Sequence, residues 1–237
     1  MASPACLPLV DVIARIELPS KQLANSIAKF FRTPKPNWRY LPTIAATPYI
    51  AEHAPSPEAA ERQAMTGSVS GHKANASAAR ALFALYGRRR ISARKIASCL
   101  LPIRTDRPNF GPVVRPAAVF SYQSGPHIIE VQPRKSLHLS ARQWAIYEWF
   151  VRRAYITTGY AGWNVEFADL SSPDGGARMP RIIVAPVLSD ITDAYMLDRI
   201  QAFVVSFDQA VAMVPPETFA ARRHGAAETR ATPLFSP

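Results

Sequence analysis

Twenty-two prolines against ten glycines cut this chain into short, stiff segments. Proline fixes φ, has no amide proton and disfavours helix in the residue before it. Four of them (Pro34, Pro36, Pro42, Pro48) fall in residues 33–48, and four (Pro102, Pro108, Pro112, Pro116) in residues 102–116. Each cluster reads as extended chain. The first is a surface arm and the second a connector between two halves of different character.

The first half carries helical signals in short pieces. Residues 9–18 are apolar enough for a helix that stops at Pro19. Ser20 is placed to cap a second helix, with Leu23, Ile27, Phe30 and Phe31 on one face. Ser56, Pro57 and Glu58 form a helix start: cap, proline in the first turn, acid near the positive dipole end. Residues 66–76 are small and polar and read as a flexible link. A helix over 77–86 puts Ala79, Leu82, Phe83 and Tyr86 on one side and ends at Gly87. Ser92 then caps a further helix carrying Ile96, Leu100 and Leu101. Cys99 lies in that apolar stretch and reads as a small buried thiol.

The period changes after the connector. Residues 117–122 and 127–131 are β-rich runs joined by a Gln123–Ser124–Gly125–Pro126 hairpin. Ser140 and Gln143 fit a capping box, and Leu139 can staple onto Trp144. The helix that follows runs to about Tyr155 and is apolar nearly all round, which predicts that it is sandwiched or sits at an interface. Trp163, Val165 and Phe167 alternate with Asn164, Glu166 and Ala168 as in a half-buried strand. Residues 171–176 read as a turn and 182–185 as a central strand. Ser189 is placed to cap a last helix, with Met196, Ile200, Phe203, Phe207 and Val211 on one face and Pro215 beyond its end.

These elements predict an α+β fold. A basic short-helix region over 1–101 precedes a layered ββαββα domain over 117–213, with helices covering one face of its sheet. The small, polar tail over 214–237 is expected to be disordered.

Charge separates the halves further. Residues 1–110 hold 16 basic and 6 acidic side chains, while residues 111–213 hold 9 of each. Between Arg62 and Thr105 there are nine basic residues and no acid. A second acid-free window, residues 18–51, carries Lys21, Lys29, Arg32, Lys35 and Arg39. One-signed stretches repel themselves unless a polyanion neutralises them, so nucleic acid, DNA or RNA, is the expected partner.

Two constellations could make that contact. The first is the helix pair around Arg88, Arg89 and Arg90, with Arg94 and Lys95 opening the second helix. That spacing suggests a helix-turn-helix, with Arg94 and Lys95 at base edges and Arg80 and the arginine triplet on phosphates. The alternative is an ordinary helical hairpin with a solvated basic loop. The second is residues 29–40, where Lys29, Arg32, Lys35 and Arg39 interleave with Phe30, Phe31, Trp38 and Tyr40. Aromatics stack on unpaired bases while cations follow the backbone. The competing and favoured reading buries both phenylalanines in a core and uses Trp38 to anchor the proline-rich arm on another subunit.

No cofactor, metal or catalytic signature emerges. Cys6 and Cys99 sit in no C-x-x-C pair. His127 and Glu130 are three apart in a strand and point to opposite faces. Glu166 has no second carboxylate at a paired position. Asp169, Asp174 and His138 sit at element ends, where caps and turns also want such groups. Residues 159–162 are too short for a phosphate loop and lack its lysine. No apolar run reaches the ~18 residues of a membrane span, and no basic segment precedes the first apolar residues, so the cytoplasm is the expected compartment. The reading is a non-enzymatic nucleic-acid-binding protein, expected to form a homo-oligomer. The alternatives are a viral or phage assembly protein with a genome-facing basic half, or an enzyme with an unrecognised site in the α+β half.

Overall fold

The computed structural model describes residues 8–33, 39–101, 113–156, 159–172 and 174–215. Its centre is a five-stranded mixed sheet with strand order β1–β4–β5–β6–β7. The strands are β1 (Ser92–Arg94), β4 (Ala118–Tyr122), β5 (Gly125–Gln132), β6 (Asn164–Asp169) and β7 (Arg181–Ile183). Strands β2 (Cys99–Leu100) and β3 (Val113–Val114) form a separate antiparallel pair. The chain is α+β, as the patterns predict.

The β4–β5 hairpin closes with Tyr122 opposite Gly125, and Gly125 has φ +114°. Few residues other than glycine adopt that φ without strain. β5 and β6 run parallel, so the chain must cross over between them. It does so through α6 (Ala141–Tyr155). The capping box at the start of α6 is formed. Ser140 Oγ accepts from the Gln143 amide at 3.2 Å, and Gln143 Oε1 accepts from the Ser140 amide at 2.9 Å. Ile146 and Phe150 are fully buried, as a sandwiched helix requires.

The helices cover both faces of the sheet rather than one. On one face α1 (Leu9–Ile13), α2 (Ser20–Arg32), α6 and α7 (Asp193–Ala212) share a core with Ile128, Val165 and Phe167. On the other, α3 (Leu41–Glu52), α4 (Pro57–Ala64) and α5 (His72–Leu82) pack on Phe120, Ile129, Val131 and Ala168. The N-terminal helices therefore supply part of each outer layer, and both halves of the chain share both cores. Neighbouring strand residues alternate between the cores, which is why strand period decides which layer each contacts.

Several expectations fail for identifiable reasons. Residues 41–48 of the expected arm are helical, within α3. Pro42 lies in its first turn, where no amide donor is needed. Pro48 lies inside the helix and removes the donor due to the Ile44 carbonyl. Burial of Ala46, Ile50 and Ala51 offsets that loss. Pro34 and Pro36 lie outside the described residues.

Most of the expected 66–76 link is also ordered. A 3-10 turn, Val69–Gly71, leads into α5 at His72. Asn75, fully buried, donates to the carbonyls of Gly71 and Arg39, both at 3.1 Å, and accepts from Thr43 Oγ1 at 2.7 Å. A polar residue in a sequence that reads as linker is thus a buried pin between α3 and α5.

The helix expected after Ser92 is absent. The Ile91 amide bonds to the Ala51 carbonyl at 3.1 Å, and Ser92–Arg94 pairs antiparallel with β4. Residues 99–100 are strand, so half-buried Cys99 is not helical. The helix-turn-helix reading falls with that helix.

In the second half, β6 is buried on both faces after Asn164, not half-buried, because it lies inside the sheet. β7 is an edge strand, not a central one, and the chain leaves it before Val184, which is exposed. Thr192, not Ser189, caps α7, accepting from the Tyr195 amide at 3.1 Å. Ser20 is the first residue of α2, with Pro19 in the cap position. Val214 is buried in the α7-side core, so the expected tail begins too early. Residues 216–237, and residues 102–112 of the connector expected over 102–116, lie outside the described residues, while Val113–Val114 of that connector is strand β3.

Candidate nucleic-acid interface

Helix α5 widens into a π turn, Phe83–Gly87, before the arginine triplet. Gly87 is required by close approach: a Cβ there would sit 2.2 Å from the Phe83 ring. The Arg89 amide closes the turn on the Tyr86 carbonyl at 2.9 Å. Arg90 then takes φ +51°, the left-handed region that non-glycine residues seldom occupy. The chain reverses there and enters edge strand β1.

Arg88, Arg89, Arg90, Arg94 and Lys95 are all exposed. Among the described residues, none of these five forms an ion pair with a carboxylate. Arg94 stacks over the Trp163 ring, 5.5 Å from its centroid, and Trp163 packs on Tyr160 at 4.5 Å. Cations and half-buried aromatics thus meet along this end of the sheet.

The other sequence candidates do not join them. Arg80 is exposed but pairs with Glu61, and with Glu58 at 3.2 Å. Its charge is already compensated. Lys29 and Arg32 lie on α2, in the opposite layer, and Arg32 donates to the Met213 carbonyl. The Arg39 side chain is exposed while its carbonyl accepts from Asn75. Tyr40 packs under Arg178, whose Nη2 donates to its hydroxyl at 3.2 Å. Phe31 is buried and Phe30 packs beside it at 5.6 Å, so the pair is core. Lys35 and Trp38 lie outside the described residues.

Beneath the arginine turn lies a polar cluster that sequence patterns did not assemble. Register aligns Ala93, Phe120, His127 and Asn164 across four strands. Glu166, two residues along β6 from Asn164, accepts from Tyr86 Oη at 2.8 Å and Tyr122 Oη at 3.2 Å. His127 Nδ1 lies 3.7 Å from the other oxygen, Glu166 Oε2. Its Nε2 faces Ser124 Oγ at 3.5 Å and Asn164 Nδ2 at 3.4 Å. Burial and the Glu166 charge push both tyrosine hydroxyls well above the usual phenol range, and Arg89 opposes the rise at each. Arg89 therefore lies within electrostatic reach of this cluster.

Glu130 sits on the opposite face, as its three-residue offset from His127 predicts. It is buried, and burial pushes its carboxyl up to about 8, against a hydrogen bond from Tyr147 Oη at 3.1 Å. Among the described residues, no group of three or more His, Cys, Asp or Glu side chains is arranged to hold a metal ion. Nor, among them, is any helix long and apolar enough to cross a membrane.

Comparison with family models, characterised proteins and solved structures finds no match to this chain. The residues themselves must carry the functional reading.

Proposed function

We propose that this protein binds nucleic acid through the rim formed by Arg88, Arg89, Arg90, Arg94 and Lys95. One observation carries the reading. Five exposed cations fall within eight residues, on a closed turn, an edge strand and the residue after it, and none of them is in an ion pair with a described carboxylate. Arginine forks onto phosphate oxygens, and a preorganised turn lowers the ordering cost of that contact. With no recognition helix at residues 92–101, phosphate contact and stacking near Trp163 support sequence-tolerant binding rather than base readout. A small homo-oligomer in the cytoplasm belongs to the same proposal.

Changing Arg88, Arg89 and Arg90 together to Ala tests it. Each phosphate contact contributes about 0.9 to the slope of log affinity against log salt on duplex DNA. The triple variant should weaken oligonucleotide binding and flatten that slope by about two to three. An unchanged slope removes the rim from the interface. Light scattering on the eluted protein, with its 260/280 nm absorbance ratio, separates a small oligomer from a large genome-packing particle.

A further inference from the structure

We propose that Ser124, His127 and Glu166 form a hydrolytic relay that acts on exposed carboxylic esters. This goes beyond nucleic-acid binding and uses residues outside the arginine rim.

The geometry has the parts that nucleophilic catalysis needs. A serine hydroxyl, an imidazole and a carboxylate lie in sequence, and the two contacts use opposite nitrogens of the ring. Ser124 Oγ lies 3.5 Å from His127 Nε2, and Glu166 Oε2 lies 3.7 Å from His127 Nδ1. Such contacts are often long before substrate binds and shorten in the reacting complex. His127 Nδ1 is buried and makes no hydrogen bond among the described residues, and Glu166 Oε2 is the carboxylate oxygen facing it. A shift of under ~1 Å gives that nitrogen an acceptor at ordinary hydrogen-bond length. The proton then sits on Nδ1, and the Nε2 lone pair points to the serine.

The surroundings hold each part in place. Tyr86 and Tyr122 donate to Glu166 Oε1, which leaves Oε2 turned toward the imidazole. The Tyr122 ring meets the His127 ring edge-on at 4.6 Å. Ser124 lies at the exposed tip of the β4–β5 hairpin, open to a substrate from solvent. Asn164 Nδ2, 3.4 Å from Nε2, competes with the serine for the same lone pair.

The chemistry balances with water as co-reactant. Ser124 Oγ bonds to the ester carbonyl carbon while its proton passes to His127 Nε2. The carbon–oxygen bond to the alcohol breaks, and the alcohol leaves with that proton. Water, deprotonated by His127, then attacks the acyl-serine, and the serine recovers its proton as the carboxylic acid departs. Ser124 and His127 are the catalytic residues. Glu166 is a positioning residue.

The test is labelling of the full chain with an alkyl fluorophosphonate, read by intact mass and peptide mapping. One adduct per chain is expected, on Ser124. It should vanish in Ser124→Ala and in His127→Gln, both of which should keep the parent circular dichroism and melting temperature. Asn164→Ala should label at least as fast as the parent. Glu166→Gln should slow labelling more than tenfold and shift the pH at which the rate rises, which a merely structural role would not do. If that variant fails to fold, the Ser124 and His127 variants still decide. p-Nitrophenyl acetate should give a burst of about one equivalent of nitrophenolate. No adduct on Ser124, or equal labelling without His127, overturns the proposal and leaves the nucleic-acid reading standing.

Discussion

Arg134 grips the buried Asp11 with both terminal nitrogens, Nη1 to Oδ1 at 2.8 Å and Nη2 to Oδ2 at 2.6 Å, across 123 residues of sequence. The pair ties α1 to the chain just past β5. Arg15 adds a third bond to Asp11 Oδ1, at 3.2 Å. Asp11→Ala would leave Arg134 without its partner. Breaking a fully buried pair costs about 3–5 kcal/mol. Arg134 is 35% exposed, so a loss of about 2–3 kcal/mol is expected. The shift of the urea midpoint measures it, and an unmoved midpoint would show that α1 is held by its apolar contacts alone.

Glu130 makes stability depend on pH in an unusual direction. Its folded carboxyl is pushed up to about 8 by burial, from an ordinary value of 4.5. The folded state therefore holds a proton that the unfolded chain has lost between those values. Stability from this group falls as pH rises from about 4.5 to 8 and levels off above. The parent should melt lower at pH 8 than at pH 5.5, by an amount that Glu130→Gln removes. A variant that keeps the parent's pH slope would place the effect elsewhere.

Gly87→Ala should distort the arginine turn. The added methyl would lie 2.2 Å from the Phe83 ring, so the ring or the π turn must move. Overpacking of this kind costs about 1–3 kcal/mol. Calorimetry reads that loss. Oligonucleotide affinity should fall beyond it at temperatures where the variant remains folded, because the cations after Gly87 lose their fixed spacing. Unchanged affinity would mean that the turn need not be rigid.

Asn75→Ala should loosen α3 from α5. It removes two donated bonds and one accepted bond, all inside the protein. Leaving such groups unsatisfied costs about 1–3 kcal/mol each before relaxation. Hydrogen exchange should quicken over residues 39–52 and 71–75, ahead of β5. Protection equal to the parent's would show that Asn75 is not a pin.

Local chemistry was legible in the sequence where it acted locally. The Ser140 capping box, the Ser56 cap, the β4–β5 hairpin and the face of α7 all follow from neighbours within one or two turns. Failures arose where distant burial overruled local preference. Pro48 stays helical because Ile50 and Ala51 have a core to enter. Ser92 opens a strand because β4 offers it a ladder. The arginine triplet was visible as charge, but Arg80's pairing with Glu58 and Glu61 required the fold of α4 against α5. Glu166 was visible as a carboxylate in a strand. Its phenol donors come from 80 and 44 residues away, and no spacing rule reaches so far.

The packing of α2 against α7 has a consequence for biosynthesis. Leu23, Ile27 and Phe31 leave the ribosome well before Phe207, which meets Phe31 edge-on at 5.7 Å. Until α7 emerges, the face of α2 that it covers stays bare. A nascent chain stalled before residue 193 should be a ready client for holding chaperones and an easy prey for proteases, whereas the chain with α7 in place should be neither.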